Sequence, residues 1–407
     1  MNFPTLCSIA GLVCLAPIAV AQEFLPPAEI ADQVLSNHPE VVAAKARAIG
    51  SYAEARRLAE GPYEWTFSGS YLQRSVSGVG EFGEYDLGVT RGFRLPGKSD
   101  IDSRIGQYGV SAAENAAEDA RHQAALLLMG AWLEWLSARE IDAINDEQLA
   151  SFERELDAVE RRLLIDDAAA IDVEMARAAL AEARAASARS RGHVTRKLAT
   201  LTAWFPDLPL PTSPGLITSP QLPQDLDRLR QAVVENSHEI GYVEDLALKA
   251  RAIADQAQAD RTPDPQLGLR VFSERDGDET GVGVTFSIPI GGGAREAIAH
   301  EQQAAASAAR QMAIRVRREI ADIAAGDAIQ ATSEYEAWQS AQLGLDESTR
   351  IVQRLRDGYA IGASSLIDLL TAERRYLGAR MLEQEARTRA HFAILKLQID
   401  SHEMWLD

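Results

Sequence analysis

The sequence predicts a mainly α-helical protein with a small amount of amphipathic β structure, built as one unit written twice. Three observations predict it. Proline is absent between Pro96 and Pro206 and again after Pro289, so two tracts can form very long helices. Just ahead of each tract, two segments alternate apolar with small or polar residues. Landmarks also recur at a spacing of roughly 200 residues, about half of the 407-residue chain.

The chain opens "MNFPTLCSIAGLVCLAPIAVAQ". Its apolar run from Leu6 to Val20 ends in Ala19-Val20-Ala21, which reads as a secretory signal over residues 1–21, cleaved before Gln22. The first residues hold no Lys or Arg, and the run of about 15 residues is short for a membrane span. Cys7 and Cys14 are the only cysteines and both fall in this segment, so the mature chain would lack a disulfide, a thiolate nucleophile and a Cys metal ligand. Cys14 follows Leu12-Val13 rather than the small residues of a lipid-attachment signal, so soluble cleavage is expected.

The first repeat, 22–204, reads helix, strands at about 64–77 and 84–96, long helix, a turn at 164–172 and a return helix. Six prolines crowd the connector 205–224, "FPDLPLPTSPGLITSPQLPQ", which cannot be helical. The second repeat, 225–407, follows the same order, with strands at about 265–273 and 279–291 and a turn at 357–368. "NHPEV" from Asn37 pairs with "NSHEI" from Asn236, Pro62 with Pro263, and Ile171-Asp172-Val173 with Ile367-Asp368-Leu369.

Periodicity supports the helices. Leu149, Phe152, Leu156, Val159 and Leu163 alternate steps of three and four. Val173, Ala176, Leu180, Ala183, Ser187, Ser190 and Val194 do likewise. This is a coiled-coil seam, and its Ala and Ser positions let helix axes approach closely. A helix from Gly97 to Leu163 would run about 100 Å and needs a partner folded back along it.

The strands support a different inference. One face of 84–96 carries Tyr85, Leu87, Val89, Phe93 and Leu95, interrupted by Arg91, and the other carries Asp86, Gly88, Thr90, Gly92 and Arg94. In 279–290 the apolar face is Val282, Val284, Phe286, Ile288 and Ile290. "SVSGVGEFGE" (Ser75 to Glu84) and "ERDGDETG" (Glu274 to Gly281) read as the connecting turns, making two hairpins. A strand of about 10 residues can cross a bilayer at a tilt, and alternation suits lipid on one side and water on the other. Four strands cannot close a barrel, so several copies would have to share one. The net charge of −19 leaves no basic face for a nucleic acid.

This arrangement resembles the TolC-type outer-membrane efflux channels over essentially the whole mature chain. The residues that carry the resemblance are "NHPEV"/"NSHEI", the paired hairpins, the strand exits "FRLPGK" and "IPIGGGAR", and "RDGYAIGASSLIDLL" from Arg356 to Leu370. It implies a homotrimer in which each subunit gives four strands to a shared twelve-stranded β-barrel, continued by a long α-helical coiled-coil barrel. It also implies a periplasmic adaptor (membrane fusion protein), an inner-membrane pump reached through that adaptor, outer-membrane lipid around the strands, no cofactor and no enzymatic activity. "NSHEI" lacks the proline usual in that family, and the chain has no convincing counterpart of the lipid-attachment cysteine of many relatives, which leaves the subfamily open.

On this resemblance the two turns form the periplasmic tip, where an adaptor docks: Leu164, Ile165, Ala168, Ala169 and Ala170 in one, Tyr359, Ala360, Ile361, Gly362, Ala363, Ser364 and Ser365 in the other. Asp172 and Asp368 match positions resembling the family's aperture carboxylates, which become charged rings in a trimer. Read without it, both aspartates cap the helices that follow. Gly97, Lys98, Gly291, Gly292, Gly293 and Arg295 mark the exits from strand to tunnel helix, where glycine provides backbone freedom and Lys98 and Arg295 would lie near the inner headgroups.

The seven histidines are scattered, with none in metal-ligand spacing, and no nucleophile elbow, paired acid/base motif or P-loop is present. The competing readings are a periplasmic coiled-coil adaptor and a structural coiled-coil protein. The first should show one hairpin among short β-domains, and the second leaves four alternating strands unexplained.

Overall fold

The computed structural model describes residues 24–406, so the expected signal and both cysteines lie outside the described residues. Helices α1 (Ala28–Ser36) and α2 (Pro39–Glu60) lead into strands β1 (Thr66–Val76) and β2 (Gly80–Gly92). The 66-residue α3 (Lys98–Leu163) follows, then α4 (Ala170–Trp204) returns alongside it. The second half repeats this with α5 (Leu226–Glu235), α6 (His238–Ala259), β3 (Gln266–Glu274), β4 (Glu279–Ser287), the 68-residue α7 (Gly293–Ala360) and α8 (Leu366–Asp400).

The helices make one layer, four wide along most of its length. Near the sheet the order is α2–α3–α6–α7; at the far end it is α4–α3–α8–α7. At about 1.5 Å per residue, α3 and α7 each run about 100 Å through both zones. Small residues close the α3–α4 seam: Ala176, Ala179, Ala183, Ser187 and Ser190 are buried. Ser187 Oγ donates to Asp146 at 2.7 Å and Ser190 Oγ to Asp142 at 2.5 Å, so the seam's hydroxyls are satisfied by α3.

Bulk is concentrated where the two zones meet. Leu128, Met129, Trp132, Trp135 and Leu136 of α3 pack with Leu35, Leu201, Phe205 and Ile399. Trp132 Nε1 donates to the Phe24 carbonyl at 2.7 Å, which satisfies its one polar atom. The proline-rich connector is non-helical and crosses this core by inserting Leu208 and Ile217, while Arg387 of α8 holds the Ile217 carbonyl at 2.7 Å.

All four strands form one antiparallel sheet in the order β1-β2-β3-β4. Its turns are tighter than the sequence reading expects. Pairing continues to Val76↔Gly80, so only residues 77–79 turn, and β2 starts at Gly80 rather than near Glu84. The acidic residues taken for turn are strand residues with cross-strand partners: Gln73 donates to Glu81 at 2.9 Å, and Arg74 pairs with Glu84 at 2.5 Å. Pairing also stops early, at Gly92 and Ser287, before Pro96 and Pro289, which have no N–H to donate.

The two strand exits differ as well. Gly97 holds a left-handed φ of 85°, which a side chain would resist. Gly292 has a φ of −144°, which any residue adopts, so the expected need for glycine freedom holds at the first exit and not there.

Candidate functional site: sheet faces, junction and helical tip

The register sorts the sheet into two unlike faces. One carries Phe67–Val89–Leu269–Val284 in a cross-strand row, with Leu87–Val271–Val282 in the next. These side chains are largely solvent-facing in the single chain; Phe67 is 81% and Val284 76% exposed. Aromatic residues bracket the band: Trp65 and Phe93 at its base, Tyr71 and Tyr85 nearer the hairpin ends. Arg91, the interruption seen in the sequence, places its guanidinium 5.3 Å from the Trp65 ring centre, a cation–π contact at the edge of the band.

The opposite face is small and polar. Ser68–Gly88–Arg270–Gly283 and Thr66–Thr90–Gly268–Thr285 form its rows, and Arg270 pairs with Asp86. A Cβ on Gly268 would collide with Thr90, Thr285 and the Val89 carbonyl, so glycine is required for strands to pass there.

Where strands become helices, a polar network ties both halves together. Asp264 is 8% exposed and sits just before β3. It accepts from Tyr63 Oη at 2.7 Å, Lys98 Nζ at 2.9 Å, Arg94 Nη1 at 3.0 Å and the Leu95 amide at 3.0 Å. Arg94 also clasps Asp102 with two bonds of 2.9 Å and reaches Asp260 at 2.8 Å. Burial alone would raise the Asp264 pKa, but the bonds from Lys98, Tyr63, Leu95 and Arg94 outweigh it and hold the carboxyl well below the usual carboxylate range. Burial and the bond to Asp264 push the Tyr63 phenol up to about 12.

This corrects the expectation for Lys98. It is only 4% exposed, and its ammonium is taken up by Asp264, Asp260 and the Thr262 carbonyl rather than facing headgroups. Arg295, half-buried, donates to the Asp260 carbonyl at 2.6 Å. Gly291 and Gly293 are exposed beside it. The sequence reading missed Tyr63, Asp260 and Asp264 because they lie outside every periodic segment. The signal that could have found Asp264 was "PDP" in the second half, a lone acid flanked by prolines where a strand begins.

At the far end both turns come together. Leu366 and Leu370 of α8 join Phe152, Val159, Val173 and Leu180 in one apolar cluster, with Ala168 and Tyr359 packed against it. Arg162 stacks 4.9 Å over the Tyr359 ring, linking α3 to the end of α7. Leu164, Ile165 and Ile361 remain strongly exposed, as do Ala169, Ala170, Ala360, Ala363 and Ser365. Gly362 turns with a φ of 72°, and Ser364 Oγ donates to the Leu355 carbonyl at 3.1 Å.

Asp172 and Asp368 occupy the third helical position, not the cap position itself. Asp172 Oδ2 accepts the Ala169 amide at 3.0 Å. Ser365 is the cap of α8; its Oγ accepts the Asp368 amide at 3.2 Å and lies 2.5 Å from Asp368 Oδ2. Each carboxylate therefore sits in a helix's first turn, where its charge is favoured.

Not all the histidines stay scattered. His122, His238 and His402 converge, with ring centres 5.8 Å apart for His122–His402 and 5.0 Å for His238–His402. His122 bonds Asp400 at 2.9 Å and His238 bonds Asn115 at 3.2 Å. Among the described residues no group of His, Cys, Asp or Glu is arranged to hold a metal ion, and no helix is long and apolar enough to cross a membrane.

An amphipathic four-stranded sheet set end-on to a double-zoned helical layer is the fold of the TolC-type outer-membrane channels. The chain is similar to the outer-membrane channel OprN, with a TM-score of 0.78 at 20% identity over 95% of this chain and 92% of that one. It is also similar to CusC (TM-score 0.76, 17% identity, 92% of this chain and 91% of that one). VceC from Vibrio cholerae gives a TM-score of 0.74 at 17% identity, over 92% of this chain and 95% of that one. No family model and no curated protein matches the sequence. At these identities the fold is what is shared.

Proposed function

We propose that this protein is a passive outer-membrane exit duct of a tripartite export system, receiving cargo from an inner-membrane pump through a periplasmic adaptor. The observation that carries this reading is the solvent-facing apolar band on a sheet with two open edges. In water such a face and such edges invite aggregation, whereas in a bilayer the band is solvated by lipid and the edges can pair with other copies. The similarity to solved outer-membrane channels supports it.

The edges also suggest how copies join. β1 follows α2 and β4 leads into α7, so the open strands continue into the open flanks of the helical layer. One copy's β4–α7 side can meet the next copy's β1–α2–α4 side, and three copies bring twelve strands around a closed ring. The polar sheet face then lines water and the exposed Leu164, Ile165 and Ile361 form a ring of apolar contacts for an adaptor. In this role the chain performs no chemistry; energy comes from the pump.

The mature protein is expected to fractionate with the outer membrane, require detergent and have the mass of a homotrimer. A soluble periplasmic species, or a monomer keeping all its strand content, would refute this reading and favour the coiled-coil adaptor.

Three subunits would place six carboxylates from Asp172 and Asp368 at one narrow end, where low-dielectric walls strengthen their pull on cations. The double change Asp172→Asn with Asp368→Asn is expected to reduce cation selectivity and multivalent-cation block severalfold in planar bilayers. Loss of each first-turn charge costs only about 0.3–1 kcal/mol, so assembly survives. Unchanged selectivity in assembled trimers would leave these aspartates with a capping role alone.

A further inference from the structure

Three histidines from distant parts of the chain meet where α6 begins and α8 ends. His122 lies on α3, His238 is the first residue of α6, and His402 follows α8 with a left-handed φ of 62°. All three are half-buried, and the His402 ring centre is 5.0 Å from that of His238 and 5.8 Å from that of His122. Two of the rings are held from outside the cluster. His122 Nε2 bonds Asp400 at 2.9 Å, and His238 Nδ1 bonds Asn115 Oδ1 at 3.2 Å. The Asn115 amide donates to Asp245 at 3.0 Å and to the Ser111 carbonyl at 3.2 Å, so its oxygen is an acceptor and His238 Nδ1 carries the proton between them.

We propose that His122, His238 and His402 form an acid-released latch, which holds the start of α6 against α3 and the end of α8 while His238 is neutral. His238 is poorly placed for a second proton. It occupies the first position of α6, where the positive end of the helix dipole opposes a cation, and two further imidazoles stand beside it. A charge on either of them adds to the repulsion. A pocket of about 570 Å³ lined by Asn115, His238, His402 and Arg317 gives water, and with it protons, a way to the rings. The latch joins α3 of the first repeat to α6 and α8 of the second, so its release loosens the contact between the repeats.

The surrounding charges set the sign. Burial holds the His238 imidazole below its ordinary range; Glu118 and Asp119 of α3 pull it back up, and His122 adds to the lowering. A folded value below the ordinary 6.5 means that the contribution is complete above about pH 6.5 and is lost as pH falls below it. Glu239 of α6 is raised, by burial first and then by Asp119, and so acts in the opposite sense. The other charged groups are engaged. Arg317 of α7 holds Glu244 of α6 at 2.7 Å, and Lys396 of α8 pairs with Asp400 and with Asp327 of α7. Glu403 pairs with Arg228 of α5 at 2.6 Å, and Arg121 of α3 with Asp32 of α1 at 2.7 Å.

Hydrogen exchange on the purified mature protein tests the latch without reference to transport. After correction for intrinsic rates, amides in 239–246 and 399–403 should open about tenfold more readily at pH 5.5 than at pH 7.5, while those in 176–187 keep their protection. His238→Gln, which cannot be charged, should abolish the change, and Glu239→Gln should keep it. Equal protection of the wild-type segments at both pH values overturns the latch. So does a change that persists undiminished in His238→Gln, or one that disappears in Glu239→Gln. If His238→Gln does not fold, His402→Gln takes its place and should at least halve the change, and an undiminished change there overturns the latch as well. If the exchange behaves as expected and bilayers show no conductance, the channel reading fails and the latch stands.

Discussion

Asp264→Ala is expected to destabilise the protein by about 3–5 kcal/mol, the largest loss from any single truncation outside the core. The change removes the acceptor shared by Tyr63, Arg94, Lys98 and the Leu95 amide. Arg94 keeps Asp102 and Asp260, and Lys98 keeps Asp260, but both cations are deeply placed and lose a neutralising charge. Asp264→Asn should fall between the two, since its amide oxygen still accepts while the charge is gone. Denaturant unfolding followed by far-UV circular dichroism measures this. A loss below about 1 kcal/mol would show that the network is not what joins sheet to helices. The same carboxyl predicts acid lability. Its folded pKa lies below the ordinary value, so its contribution is present above about pH 4 and is lost as pH falls below that.

The second large effect separates the two sheet faces. Val284→Lys puts a charge in the middle of the apolar band and is expected to cost about 2–4 kcal/mol of membrane insertion, enough to remove most correctly assembled protein. Gly283→Lys, one residue away on the polar face, has open space for a side chain and should assemble normally. In a water-soluble protein both would be harmless, because Val284 is already 76% exposed. The amount of each variant recovered from outer-membrane fractions, relative to wild type, is the readout. Equal recovery of both variants would show that the band does not face lipid.

The sequence by itself determined the order of elements, the two very long helices and the hairpin character of the strands. Each of these depends on local rules: proline excludes helix, steps of three and four mark a seam, and strict alternation marks a two-faced strand. Thus Ala176, Ala183, Ser187 and Ser190 were readable as buried positions without any partner in view. Strand ends were less readable, because Glu81 and Glu84 look like turn residues until Gln73 and Arg74 are seen reaching them diagonally from the neighbouring strand. Only the tertiary structure decided the chemistry between distant segments. Asp264 gains its four donors from stretches far away in the chain. His122, His238 and His402 also meet only after folding. A lone acid between prolines carries no periodic signal. Its burial and its partners arise when the two repeats pack side by side, because desolvation and Coulomb interactions depend on distance in space and not on separation along the chain.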